Sequence, residues 1–326
     1  MPSIRYSRNR ALPSQSIYYS DVLTLENNTP ATMKDQFTKA WIKSTAIPII
    51  ARYEPGVLTL RGLYYQLVSC GMTNSLNHYK RVVSAMIDAR WDGEVDFEAF
   101  SDHDRAMIGE TAYEDTTVES KVADGKFGVD YYMTNYRKNR WENQDYYIEV
   151  LIEKKALQGV FEPICKRWDV ALGACKGYPS LTFLSEMADR FNDAAAAGKI
   201  PTIIYFGDYD PSGEDIPRSL EANLRDLGVE EIIIERPALR EWQVKEWHLP
   251  IAPAKVSDSR TAAWSGLGQV ELDSVKPEKL QALCTDAITD YFDRRRHNEL
   301  LELEKVERIE YKRSLLQYVM ETYNEN

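Results

Sequence analysis

Apolar residues change their spacing along this chain, and the change divides it in two. Between residues 33 and 91 the period is helical and predicts three helices, roughly Met33 to Arg52, Leu60 to Cys70 and Leu76 to Trp91. Thr59 stands where the second helix needs an N-cap and Gly71 where it needs a terminator, while Asn74 or Ser75 caps the third. Two helices joined by a short glycine-containing turn make the minimal helix-turn-helix pattern. In the third helix Tyr79, Val82, Val83, Met86 and Ile87 form an apolar face, and Lys80, Arg81 and Arg90 project elsewhere. Such a basic face suits a helix that enters a nucleic-acid groove, although many helices look the same. In TLRGLYYQLV (59–68), the positions Leu60, Leu63, Tyr64, Leu67 and Val68 account for one core face. Tyr65 lies about 100° round the axis from that face, on the side that carries Arg61 one turn earlier. The bland reading of this pair is a partly exposed aromatic with an arginine packed on it.

From Asp145 onward short apolar runs alternate with helical ones. Strands are expected at 146–153, 170–175, 202–210 and 229–235, with helices at Lys155 to Trp168, Leu181 to Ala197 and Asp215 to Leu227 between them. Alternation of this kind implies right-handed crossovers and a mostly parallel sheet flanked by helices, with ligands bound at the carboxyl ends of the strands. Those ends carry Glu153 after the first strand, and Asp208 and Asp210 after the third. Spaced by two, the aspartates point the same way if the strand continues, which suits a hard divalent cation. Other readings of DYDPSGED compete. A calcium loop starts like Asp208 to Gly213 but needs Glu at its twelfth position, where Ser219 stands, and a helix in front. An aspartyl nucleophile, or a turn through Pro211, Ser212 and Gly213 with no metal, also remains open. The C-terminal stretch from Pro277 to Tyr323 reads as charged amphipathic helices, suited to packing on the sheet or to a dimer contact.

With 326 residues, 44% hydrophobic and 28% charged, the chain is long enough for two cores and is neither collagen-like nor a disulfide scaffold. It has no apolar run of membrane-spanning length, and its start lacks a signal-peptide stretch, so a cytoplasmic, nucleoid-associated address is expected. Cys70, Cys165, Cys175 and Cys284 form no CxxC pair and read as reduced core thiols. Neither do His78, His103, His248 and His297 have ligand-like spacing. The net charge of -11 argues on its own against a nucleic-acid partner. Resolved along the chain it reverses: residues 1–91 hold eleven basic and five acidic side chains, whereas 92–120 hold ten carboxylates and one arginine. That acidic stretch is expected to be a solvated loop.

Glu153 in VLIEKKAL, KGYPS at 176–180 after a strand, and DYDPSG at 208–213 after the next together resemble the Toprim domain of the topoisomerase VI A subunit and its relative, the meiotic double-strand-break transesterase. The resemblance extends over about 35–91 and 145–310. It implies an α/β architecture with three parts: an arm at 1–30, a CAP-like winged-helix domain at 31–144 and a Toprim domain with C-terminal helices at 145–326. The family's R-D-I-Y-Y motif falls on Arg61, Gly62, Leu63, Tyr64 and Tyr65, so the cleaving tyrosine is implied to be Tyr65. Gly62 departs from that motif's acidic residue, and Lys155 stands where an acidic residue commonly follows the Glu-Lys pair.

What the resemblance implies is Mg²⁺-dependent cleavage of double-stranded DNA by transesterification. Tyr65 would attack a phosphate held by Arg61, a Mg²⁺ on Glu153, Asp208 and Asp210 would clamp it, and Lys176 or Lys154 would add a phosphate contact. Lys80, Arg81 and Arg90 would bind the duplex. A homodimer is implied, since the family pairs one protomer's tyrosine with its partner's metal. No P-loop is present, so full strand passage would need a separate ATPase subunit. Two alternatives stand beside this: a Toprim nuclease that hydrolyses DNA with metal-activated water, and a catalytically silent DNA-binding subunit.

Overall fold

Each of the three amino-terminal helices starts where a hydroxyl can accept a backbone hydrogen bond. In the computed structural model, which describes residues 35–100, 117–252 and 264–323, these are α1 (Lys39–Ile50), α2 (Leu60–Ser69) and α3 (Leu76–Trp91). Thr38 caps α1, Thr59 Oγ1 accepts from Gly62 N at 2.8 Å, and Ser75 Oγ accepts from His78 N at 3.3 Å. Such caps each contribute about 1 kcal/mol. The cap at Thr38 explains why α1 begins later than the expected Met33. Gly71, at φ +100°, ends the turn after α2 in a conformation that favours glycine. The Tyr64 hydroxyl ties that turn down, accepting from Ser75 N at 2.6 Å and donating to Asn74 Oδ1 at 2.9 Å.

The helices share a core that includes Ile42, Ala46, Leu63, Leu67, Val82 and Met86. Two expectations about their faces fail. Ile87 is 47% exposed rather than part of the buried face of α3. Tyr65 is buried, at 8% exposure, because α2 has neighbours on two sides: α1 and α3 on one, and the 3-10 turn Leu272–Ser274 on the other. A helix packed on both sides buries more than a single stripe. Cys70 is exposed just past the end of α2, while Cys165, Cys175 and Cys284 are buried as expected.

Among the described residues, no strand follows α3 before Tyr146, and Leu58 and Phe100 make an isolated bridge. The 1–30 arm and most of the acidic stretch (101–116) lie outside the described residues. The end of that stretch is helical rather than loop. Thr117 and Ser120 bond reciprocally to start α4 (Val118–Thr134), which buries none of its residues.

The sheet holds β1 (Tyr146–Ile152), β2 (Ala171–Ala174), β3 (Ile200–Phe206) and β4 (Ile233–Ala238), all parallel, in the order β2-β1-β3-β4. Its two faces separate by the strand period of two. Val150, Ile152, Ile204 and Phe206 enter one core, with α5 (Gln158–Trp168) and α9 (Pro277–Thr289). Leu151, Ile203 and Tyr205 enter the other, with α6 (Leu181–Ala196) and α7 (Pro211–Asp226). A mixed α/β fold with a four-stranded parallel sheet is therefore in place. α8 (Glu241–Glu246) follows β4, and α10 (Arg294–Tyr323) closes the chain. From Phe37 to Asn326 the chain forms one compact unit, so α2 and the sheet belong to the same body. Among the described residues, no helix is long and apolar enough to cross a membrane.

Candidate functional site

β3 stops at Phe206, earlier than its apolar run suggests, and this decides where the two aspartates go. Gly207 still bonds to the end of β4, accepting from Leu239 N and donating to Ala238 O, and Tyr209 then pairs with Val270 through two backbone bonds of 2.9 Å, so the chain leaves the sheet after Gly207. Asp208 and Asp210 therefore do not lie along one continued strand. Asp210 caps α7, its Oδ1 accepting from Gly213 N at 2.7 Å, with Pro211 opening the helix. Gly213 is required there, since a Cβ would sit 2.2 Å from the Asp208 carbonyl oxygen. The DYDPSG run is thus a strand exit folded tightly onto a helix start.

Asp208 is nearly fully buried and surrounded by donors. Oδ1 accepts from Leu272 N at 2.8 Å, Oδ2 meets Lys154 Nζ at 2.7 Å, and its carbonyl accepts from Arg236 Nη2 at 2.7 Å. Burial pushes its carboxyl up from the ordinary aspartate range, and the Lys154 ammonium opposes this. Lys154 also approaches Glu271 at 3.4 Å and Asp273 at 3.5 Å, and these carboxylates together outweigh its burial to raise its pKa. Glu153, at the end of β1, accepts from Asp208 N at 2.8 Å and from the Tyr205 hydroxyl at 3.3 Å, both on Oε2. Its pKa is raised, first by burial and further by the charge of Asp210.

The amino-terminal helices reach the same place. Arg61 Nε lies 2.8 Å from Glu271 Oε2, and Thr59 Oγ1 donates to Asp273 Oδ1 at 3.0 Å. Gly62 permits the approach: a Cβ there would press on Thr59 Oγ1 at 3.2 Å and face the Asp273 carbonyl at 3.6 Å. An acidic side chain at 62 would add a charge near Asp273. Tyr65 sits beside Glu271, Arg61 and Lys154, and burial with the Glu271 charge raises its phenol above the usual tyrosine value. Arg61 lies over the ring of Tyr79 at 5.6 Å, rather than over that of Tyr65.

Next to Glu153 a cavity of about 610 Å³ opens, lined by Lys154, Lys155, Ala156, Lys176 and Gly177. Lys176 and Gly177 both have positive φ, 54° and 88°, so the KGYPS loop turns sharply and leaves Lys176 exposed at the cavity wall. A pocket with three lysines and one carboxylate suits a phosphodiester better than a neutral ligand.

The structure thus brings Tyr65, Arg61, Glu153, Asp208 and Asp210 into one neighbourhood, with Lys176 at its edge. It does not assemble the expected ligand trio: among the described residues, no three His, Cys, Asp or Glu side chains form a metal-holding group. Asp208 is the member that departs, since Lys154 and Leu272 N engage its two oxygens. Glu153 and Asp210 are the pair that could hold a cation, because their charges repel and, among the described residues, no hydrogen bond reaches Glu153 Oε1 or Asp210 Oδ2. Mg²⁺ is commonly held by one or two carboxylates together with substrate phosphates. On α3, Lys80 is exposed, Arg81 donates to the Phe37 carbonyl at 2.8 Å, and Arg90 packs over the Phe100 ring at 4.8 Å. Arg81 and Arg90 thus serve the helical core, and Lys80 alone of the three stands clear of it. Sequence reasoning missed Glu271 and Asp273. Their signal was the acid-apolar alternation of VELDS (270–274), in a stretch where no element was expected.

Comparison with known proteins adds no constraint: no family model, curated protein or solved structure matches this chain.

Proposed function

We propose that this chain cleaves double-stranded DNA by transesterification, with Tyr65 as nucleophile, the chemistry of the topoisomerase VI A subunit it resembles, but with the tyrosine beside the carboxylates of its own chain rather than those of a partner. The observation that carries the reading is the meeting of Tyr65 and Arg61, from the basic helical segment, with the carboxylate and lysine cluster at the strand ends. The phenol oxygen attacks phosphorus, the P–O3′ bond breaks with its electron pair on O3′, and the protein keeps a 5′-phosphotyrosyl bond. A phenol with a raised pKa needs a proton acceptor, and Glu271 is the carboxylate beside it. Arg61 and Lys154 flank Glu271 and present their positive charge to the phosphate. Glu153 and Asp210 are the residues that would hold Mg²⁺. The ion, when bound, supplies charge stabilisation at the phosphate oxygens. Lys176 adds a phosphate contact at the cavity wall, and Lys80 one to the duplex backbone. A second copy of the chain supplies the second tyrosine needed to cut both strands, and strand passage calls for a separate ATPase subunit.

The burial of Tyr65 favours a second reading, hydrolysis by metal-activated water with Tyr65 as a packing residue. One experiment separates the two. Supercoiled plasmid is incubated with the protein and Mg²⁺, then run on denaturing gels with and without protease. Transesterification leaves protein on 5′ ends, released by protease and lost in Tyr65→Phe. Protease-independent cleavage that survives Tyr65→Phe would falsify the nucleophile in favour of hydrolysis. DNA binding without cleavage under any divalent metal would leave the silent-subunit reading.

A further inference from the structure

α10 turns one face to the body of the protein and leaves another bare. Leu300 and Glu304 are its buried residues, and Glu304, Glu307 and Tyr311 bond to or stack on the segment 136–140. Glu304 Oε2 accepts from Lys138 N at 2.9 Å and Arg140 Nη1 at 2.8 Å, and Tyr136 stacks with Tyr311 at 5.0 Å. These positions are three or four apart, so they lie on one side of the helix.

The opposite side is apolar. Val306, Ile309, Leu316, Met320 and Tyr323 are 67%, 66%, 43%, 60% and 68% exposed, and with Arg313 they fall at spacings of three, four, three, four and three. That is the a/d repeat of a coiled coil, with Val306, Arg313 and Met320 at a and Ile309, Leu316 and Tyr323 at d. The inward residues Glu304 and Tyr311 then occupy f, directly behind the seam. A single basic residue among the a positions is the kind of device that fixes register at a cost in stability.

The flanking charges select the occupant. Lys305 takes position g and Glu310 the following e. In a parallel pair of identical helices, g of one chain meets the next e of the other, so Lys305 faces Glu310 of the second copy twice over. An antiparallel pair would set lysine against lysine and glutamate against glutamate. Lys305 holds Glu302 at 2.6 Å within the chain, but both side chains are largely exposed, and a pair of that kind exchanges at little cost.

We infer that α10 is the seam of a parallel two-stranded coiled coil between two copies of this chain, formed over residues 305–323. The inference stands whether or not the protein cleaves DNA. If it does cleave, the seam brings two Tyr65 residues into one particle.

Light scattering on the eluting full-length protein tests it. Wild type is expected at twice 37.5 kDa, and Ile309→Glu at the monomer mass with unchanged far-ultraviolet circular dichroism, its dissociation constant raised at least about 30-fold. Lys305→Glu alone should weaken the dimer and Lys305→Glu with Glu310→Lys should restore it. A monomeric wild type at 100 µM, on the order of the concentrations such seams need, overturns the inference, as does a dimer indifferent to Ile309→Glu. Failure of the double exchange to rescue overturns the parallel arrangement. None of these outcomes depends on cleavage, so loss of the nuclease reading is seen separately.

Discussion

β1 and the residue that follows it hold two carboxylates four residues apart, Glu149 and Glu153, and the protein treats them in opposite ways. Glu149 is 3% exposed and fully matched: Arg190 Nε reaches Oε1 at 2.6 Å, Nη2 reaches Oε2 at 2.9 Å, and the Tyr147 hydroxyl adds a bond at 3.0 Å. Glu153 collects its bonds on one oxygen and has Asp210, another anion, for a neighbour. The cation beside it in sequence, Lys154, turns instead to Asp208, Glu271 and Asp273. A matched buried charge holds structure. An unmatched one at a strand end, beside a lysine-lined cavity, is the candidate for binding.

The comparison is broken most severely from the Glu149 side. Arg190→Ala leaves a buried carboxylate without its counter-charge and is expected to cost about 3–5 kcal/mol in urea unfolding. Glu149→Gln should cost clearly less, because Arg190 is 43% exposed and returns to water. Cleavage per folded molecule should not change in either. Equal costs for the two would mean that the pair is a surface ion pair and the contrast with Glu153 is empty.

Glu271→Gln is the corresponding test at the site. It keeps the shape and removes the proposed proton acceptor, so the cleavage rate should fall about 10²-fold or more while DNA affinity holds. A uniform loss of affinity, with the rate intact, would reassign Glu271 to positioning Arg61.

Glu153→Gln is expected to act in two directions. A carboxyl whose folded pKa is raised stabilises the fold while protonated, and that contribution is lost as pH climbs through its folded value. At neutral pH without metal, the glutamine should therefore be more stable than wild type. Added Mg²⁺ should raise the thermal midpoint of wild type and not that of the variant. If metal stabilises both equally, the cation sits elsewhere.

How much of this was legible beforehand depends on the range of the interaction. Caps at Thr59 and Ser75, the ends of α2 and α3 within a residue, and the β1-to-α7 alternation follow from local chemistry, and the sequence shows them. The termination of β3 at Phe206 does not, because what draws the chain away is the pairing of Tyr209 with Val270, far along the sequence. Tyr65 was misjudged for a related reason. Helical periodicity assumes one packing partner, and α2 has a second in the turn at Leu272–Ser274. Glu271 and Asp273 could be recognised as part of the site only once that turn was seen against α2. The motif residues Glu153, Asp208 and Asp210 were visible as strand-end carboxylates, but which of them answers to a lysine was not.

The smallest effect comes from the helical segment and sharpens its half of the reading. Lys80 is exposed on α3, whereas Arg81 and Arg90 are engaged by the Phe37 carbonyl and the Phe100 ring. If Lys80 touches a backbone phosphate, Lys80→Ala should weaken DNA binding alike on every sequence and lower the slope of log affinity against log salt by about 1. Arg90→Ala should leave that slope alone and instead lower the unfolding midpoint, because it strips the cover from Phe100. The reverse result, a lower slope from Arg90→Ala and none from Lys80→Ala, would turn α3 about its axis relative to the DNA and send the duplex to its other face.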